Sequence, residues 1–394
     1  MSETALRERL HTATGASEAD DAIEAGRTAA EEAVGGLAGR PADLIIVYAS
    51  VRYDLAAMLG AIRKVTGDAP LVGATSNGHF RGASLTAPAQ GVNVLALTSG
   101  PYRFGIASVG DLSADAEAAG AKLARTSRSA VGLDRSRHAT MLLLADGLAA
   151  DHQALITGIH RVTGAAVPVV GGCAADDRKL SQTFVLHDDR VLTDAAVAVW
   201  IDSNQPVPVR VGHGWHAIGL PLLVTSVDGQ VVHEIAGRPA RDVFEEHIRQ
   251  GHTDEFDRVR PGGYYSLHAF GLIEPDGSHL IRGVFMDDDG NIRTFAPLPV
   301  YSAIQIVSCD QKDTLAMSRQ IAEQAVAGRD ASLLLVFSCV ARLDVLQDRG
   351  FEEAQVLQAA ADPVPVFGIY TYGEFARTST VAGYHNSTVT AVAL

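Results

Sequence analysis

Three short polar turns carry most of the side chains in this sequence that could bind or transform a small molecule. Thr75-Ser76-Asn77-Gly78 sets three compact donor and acceptor side chains ahead of a glycine that tolerates positive φ. Backbone N–H groups at such a turn can hold a carboxylate or another small anion; equally, the turn can satisfy only its own backbone. Gly171-Gly172-Cys173-Ala174-Ala175-Asp176-Asp177 allows close backbone approach and offers Asp176 and Asp177 as acceptors for an amine. Asp177 can also simply cap the turn that follows. In the third turn Tyr370, Tyr372 and Glu374 alternate, so an extended chain would put them on one face. A hairpin through residues 378–383 would bring His385 and Asn386 opposite Glu374. An aromatic ring, a carboxylate, an imidazole and an amide together suit a zwitterionic ligand. The plainer reading is a buried polar network that holds the last strand in place.

Other chemistries find less support. Ala74–Gly78 half-matches a serine nucleophile elbow but lacks its first glycine, and neither Walker A nor the dinucleotide fingerprint occurs. Cys173 stands near two aspartates, which would raise its pKa and suppress the thiolate. A hydrolase would have to use Ser76 or Cys173. His213 and His216 flank Trp215, but Gly212 and Gly214 argue against the helix that would pair them, and no cysteine or carboxylate completes a zinc set. Haem needs only one axial histidine, and His79, directly after the first turn, is the candidate.

The elements that must position these turns form a pattern that occurs three times. An apolar run (Leu44–Tyr48, Met141–Ala145, Leu333–Phe337) leads through an amphipathic segment (Asp54–Val65, Asp151–Val162, Phe351–Ala360) into a second apolar run that ends in a polar turn. A further run follows each turn: Val92–Leu97, Ala196–Ile201 and Ser387–Leu394. The unit reads as strand, helix, strand, turn, strand, with a parallel pair joined by the helix and later antiparallel members. The expected fold is therefore α/β, with mixed sheets and helices packed on them. Between the second and third copies, Leu222–Val227 with Gln230–Ile235 and Leu280–Met286 with Ile292–Phe295 read as hairpins, and Arg241–Ile248 as a short helix. Ser17 and Asp20 suggest a capping box opening a helix that ends at Gly35-Gly36 and lies on the surface, since Ile23 and Val34 are its only large apolar residues.

With 394 residues, 47% of them apolar and 20% charged, the chain has enough material for two large domains or three small ones. The 32 basic and 46 acidic residues give a net charge of -14, and no basic run offers a nucleic-acid surface. The longest apolar stretches fall short of a membrane span, the first ten residues contain no secretory core, and three cysteines cannot build a disulfide scaffold. A cytoplasmic protein without membrane insertion is expected.

In this arrangement the sequence resembles the FIST family. The likeness lies in Val47-Tyr48-Ala49-Ser50, Gly73–Gly78, Gly171–Asp177, Val231–Ala240, Phe337–Arg342, Gly368–Phe375 and His385-Asn386-Ser387-Thr388. It implies a FIST N-like domain over 37–227 and a FIST C-like domain over 228–394, after an N-terminal helical segment at 1–36. The family is linked to signal transduction, with amino acids suggested as ligands, so the resemblance implies a non-enzymatic small-ligand sensor. With no output domain visible, it would act through a separate partner such as a sensor histidine kinase. Some stand-alone relatives are described as haem-binding nitric-oxide sensors; many relatives carry Glu where this sequence has His79. Thr75, Ser76, Asn77, Asp176, Tyr370, Tyr372, Glu374, His385 and Asn386 are the candidate ligand-binding residues.

Overall fold

A computed structural model describes residues 9–132, 136–149, 151–164, 166–250, 264–376 and 383–394. Three six-stranded mixed sheets share one plan, and a seven-stranded antiparallel sheet is added to the third. In the first, Leu44–Ala49 and Leu71–Thr75 form the parallel pair, flanked by Val92–Leu97 and then Thr12–Ser17. The second repeats this with His138–Ala145, Val169–Cys173, Ala196–Ser203 and Tyr102–Val109. The third uses Leu334–Cys339, Val366–Thr371, Val389–Ala393 and Val209–Gly212.

Each sheet is completed by a hairpin from another copy. The hairpin at 185–192 from the second copy pairs with Leu71–Thr75 of the first. Glu374–Ala376 and Tyr384–His385 from the third pair onto Val169–Cys173 of the second. His79–Arg81 and Ser84–Thr86 from the first pair onto Val366–Thr371 of the third. The exchange closes in a ring, so the copies are interlocked. Sequence periodicity does not reveal this exchange: the strand-helix-strand pattern is local, whereas the choice of sheet for a short hairpin is decided by tertiary pairing.

The inner faces of the three sheets fill one apolar core, with Tyr48, Leu142 and Phe367 among its members. Helices cover the outer faces. Those at Ala22–Gly36, Leu55–Thr66, Ala116–Ala130, His152–Thr163 and Gln311–Val326 all begin on an aspartate that accepts a backbone N–H of the first turn. The first of these corrects the sequence expectation. Its cap is Asp21, while Ser17 closes the strand Thr12–Ser17. Its buried face is made of Ala25, Gly26, Ala29, Ala30 and Ala33, small residues that admit a close neighbour where large apolar ones would hold it off. At Gly73, Gly171 and Gly368 an added Cβ would meet the carbonyl oxygens of Val47, Leu143 and Val336 at 2.3, 1.8 and 2.1 Å. These three equivalent glycines explain why each parallel pair can lie so close.

The added sheet runs from His216–Asp228 to Ala303–Ser308 and packs on the helix Ala240–Gln250. It is inserted between Val209–Gly212 and Gln311–Val326 of the third copy. The composition change at Asp228 falls within this sheet: Asp228 ends one strand and Val231–Ile235 pairs back on it.

Candidate functional site

The three turns meet. Ala175 N–H donates to Thr75 O at 2.9 Å, Asn77 N–H to Tyr370 O at 3.1 Å and Tyr372 N–H to Cys173 O at 3.2 Å. These are corresponding positions in the three copies, so the bonds form a ring around the axis that relates them. The ring is filled: Thr75, Ser76, Asn77, Asp176, Tyr370 and Glu374 are all buried. Open space lies to one side, where a cavity of about 390 Å³ is lined by Gly147, His152 and Arg178 of the second copy, Phe295 of the added sheet, and Tyr372 and Asn386 of the third copy.

Of the residues expected to bind a ligand, Tyr372 and Asn386 line this cavity. Asp176 stands behind it with both oxygens occupied. Oδ1 accepts from Tyr372 Oη at 2.5 Å and Leu180 N at 2.9 Å, and Oδ2 from Ser181 N at 2.6 Å and Gln182 N at 2.9 Å. Burial pushes this carboxyl up, but the bonds from Tyr372 and the three amides more than offset it, and it stays ionised below its ordinary range. Asp177 is likewise occupied, by Ser50 Oγ at 2.6 Å and Ala89 N at 2.7 Å. Asp176, with two bonds on each oxygen, therefore has no acceptor capacity left for an amine, while each Asp177 oxygen is engaged once in tying the loop to Ser50 and Ala89. They order the loop that presents Arg178.

Tyr370, Tyr372 and Glu374 do not share a face. The strand ends at Thr371, Gly373 has φ +158°, and the chain crosses into the second sheet at Glu374. Tyr370 Oη consequently reaches Glu353, Tyr372 reaches Asp176, and Glu374 accepts from Thr371 Oγ1 and Thr388 Oγ1, each at 2.7 Å. Burial pushes the Glu374 carboxyl up to about 8, against the pull of those hydroxyls, so it is mostly protonated near neutrality. His385 does sit opposite Glu374 in register, as the hairpin predicts. Its Nε2 meets Ala376 O at 2.8 Å, and burial brings its pKa down to about 4. Residues 377–382 of the expected hairpin lie outside the described residues.

Ser76 Oγ accepts Gly78 N–H at 3.3 Å inside the ring, and burial pushes the Cys173 thiol well up. His79 is 1% exposed, burial lowers its pKa to about 3, and it faces the common core from a strand paired on both sides. The cavity does not reach its ring. Haem would need an open plane beside that imidazole, so the residues around His79 do not fit the group. Among the described residues no cluster of three or more His, Cys, Asp or Glu could hold a metal ion.

Several cavity residues carry no mark in the sequence. Arg178 pairs with Asp344 at 2.5 Å, joining the second copy to the third across the cavity. Burial raises the Asp344 pKa while that guanidinium opposes it. His152, whose pKa burial lowers, stacks on Tyr384 at 5.0 Å and meets Asp146 O at 2.8 Å. Asn386 Oδ1 and Ser387 Oγ have no hydrogen-bond partner among the described residues, and Ser387 holds φ +56°. Only this last pair has a sequence signal, since Asn386-Ser387 directly follows the residue aligned with Glu374.

Comparison with known proteins bears on the whole chain. Residues 43–238 match the FIST N domain and residues 240–377 the FIST C domain. An uncharacterised protein of Mycobacterium tuberculosis is 27% identical over 380 residues, covering 92% of each chain. An uncharacterised protein of Mycobacterium bovis is 29% identical over 213 residues, 52% of this chain and 55% of its own. Among solved structures, a cyanuric acid hydrolase from A. caulinodans aligns over 98% of this chain and 99% of its own, with 10% identity and a TM-score of 0.36, too low to carry an argument. The two domain matches, in the order found in the sequence, show that the chain belongs to the FIST family.

Proposed function

We propose that the protein is a sensor whose small-molecule ligand occupies the cavity beside the three-turn ring and which signals through a separate protein. FIST domains are associated with signal-transduction sensing. The observation that carries the reading is the make-up of the walls: residues matched to FIST N (His152, Arg178) face residues matched to FIST C (Phe295, Tyr372) across one space. A ligand there touches both. It can bias how the added sheet sits on the interlocked body, by as much as its affinities for the two arrangements differ.

The oxygens of Asn386 and Ser387 that no described residue bonds suit a ligand with hydrogen-bond donors, an amino acid among the candidates. Enclosure of Ser76 and the raised thiol of Cys173 support binding without catalysis. The proposal includes a cytoplasmic setting with a histidine kinase or similar protein as receiver. Among the described residues no helix is long and apolar enough to cross a membrane.

A thermal-shift screen of small metabolites tests the reading. At least one compound should raise the melting temperature of the wild type and fail to do so in Ala341→Phe, which fills the cavity from its wall. A compound that stabilises both proteins equally, or a screen without any stabilising compound, would refute it.

A further inference from the structure

A second cavity adjoins the first. A second chamber of about 560 Å³ shares His152, Gln230, Phe295 and Tyr384 with the first and extends beneath the added sheet to Arg282. Arg282 lies on the strand His279–Met286 and is 4% exposed. Its Nη1 donates to Ile281 O at 3.2 Å and to Tyr384 O at 3.5 Å. Its Nε is buried without a hydrogen-bond partner among the described residues, and none of the ion pairs among them includes Arg282.

Elsewhere in this molecule the Nε/Nη2 edge of an arginine is where a carboxylate docks. Arg349 grips Glu352 through Nε at 2.7 Å and Nη2 at 2.6 Å. Arg342 uses the same two nitrogens on Glu353 at 3.0 and 2.8 Å, and Arg103 on Asp202 at 3.2 and 2.7 Å. On Arg282 that edge makes no hydrogen bond to a described residue. Burial lowers its pKa, but only to about 10, so the guanidinium remains charged at neutral pH. An enclosed guanidinium that no carboxylate contacts carries a desolvation penalty that an anion at its edge would relieve. Arginine at such a place is suited to planar, two-point capture of an anion.

We propose that Arg282 is the anion seat of the ligand site, taking the carboxylate of a small molecule through its Nε/Nη2 edge. The inference rests on the sensor reading and adds the chemical class of the ligand. Glu274 and Asp151 line the same chamber. Both favour the Arg282 charge from a distance, and both would repel a dianion such as phosphate. A monocarboxylate fits that balance, with the two acidic residues open to a neutral or cationic far end.

The experiment uses the full-length protein and a panel of amino acids and short hydroxy acids, each tested beside its neutral carboxamide at matched chloride. Melting temperature and calorimetric titration are the readouts. At least one acid should bind saturably and at least tenfold more tightly than its amide, a comparison that needs no variant. Arg282→Lys should weaken that acid and Arg282→Met abolish its binding. If a compound binds wild type and Arg282→Met alike but loses affinity in Ala341→Phe, the sensor stands and the anion seat is overturned. An amide that binds as tightly as its acid would likewise overturn the anion seat alone. If neither acids nor amides bind, the anion seat falls, and the sensor reading falls with it only where the wider metabolite screen is also empty.

Discussion

Arg342 and Arg282 are removed from water almost equally, at 2% and 4% exposure, yet their surroundings differ in kind. Arg342 reaches Glu353 by Nε and Nη2, Ser318 Oγ at 2.6 Å, Thr314 O at 2.9 Å and His213 O at 3.3 Å. Glu353 in turn receives Ser318, Ser338 and Tyr370. Charge and hydrogen-bonding capacity close on themselves, and the network ties the helices Gln311–Val326, Val340–Leu346 and Gly350–Ala361 to the third sheet. Arg282 has two backbone carbonyls on one nitrogen and lines a cavity. The difference separates a charge that the fold has completed from one that it has left incomplete. Only the second kind has anything to offer a ligand.

The largest effect should come from opening the completed network. Arg342→Met leaves Glu353 buried with its charge uncompensated, which should lower stability by about 3–5 kcal/mol in urea unfolding. A loss below about 1 kcal/mol would show that the pair is not a closed unit, and the contrast with Arg282 would lose its basis.

Glu374 shows a third way to bury an ionisable group, by keeping its proton. Its pKa is about 8 in the folded protein against an ordinary 4.5. The unfolded chain therefore releases the proton first, and stability should fall as pH rises from about 4.5 to about 8, then level off. Glu374→Gln should flatten that part of the profile, by a few kcal/mol in order of magnitude between its ends. Equal slopes in variant and wild type across this window would mean that Glu374 is ionised and paired like Glu353.

How far these three groups could be read in the sequence follows from the range of the interactions involved. The repeated strands and helices were legible because hydrophobic periodicity is local, and Glu374 opposite His385 was legible because a hairpin fixes register over a dozen residues. That the three turns meet was not legible, because it depends on how the copies pack around one another. The ring-shaped hairpin exchange was not legible, and it decides which side chains face the cavity. It carries Glu374 away from Tyr370 into another sheet, and it places Tyr384 against Arg282 across 102 residues of sequence. Arg342 closes the Phe337–Arg342 motif and Arg282 lies in none, yet neither context tells that one guanidinium contacts a carboxylate and the other contacts none among the described residues.

A smaller effect is expected at the junction of ring and cavity. Tyr372→Phe removes one of four donors to Asp176 and leaves the other three, so the cost should be about 1 kcal/mol. Because Tyr372 also lines the first chamber, ligand affinity should fall by more than the stability change alone would produce. Calorimetry beside urea unfolding separates the two. Affinity that does not move would confine Tyr372 to holding the loop.

The smallest effect on the free protein should be at the incomplete site itself. Arg282→Met gives up two bonds from Nη1 to carbonyls, at 3.2 and 3.5 Å, but also removes an enclosed charge that no described carboxylate pairs. Replacing buried ionic groups by apolar ones of similar volume is often neutral or stabilising, so the urea midpoint should hold or rise, and should not fall by more than the equivalent of about 1 kcal/mol. Arg342→Met, the same chemical change at nearly the same depth, should cost several times more. A loss at Arg282 as large as that at Arg342 would mean that Arg282 is a strut between the added sheet and Tyr384, with its charge already balanced inside the fold.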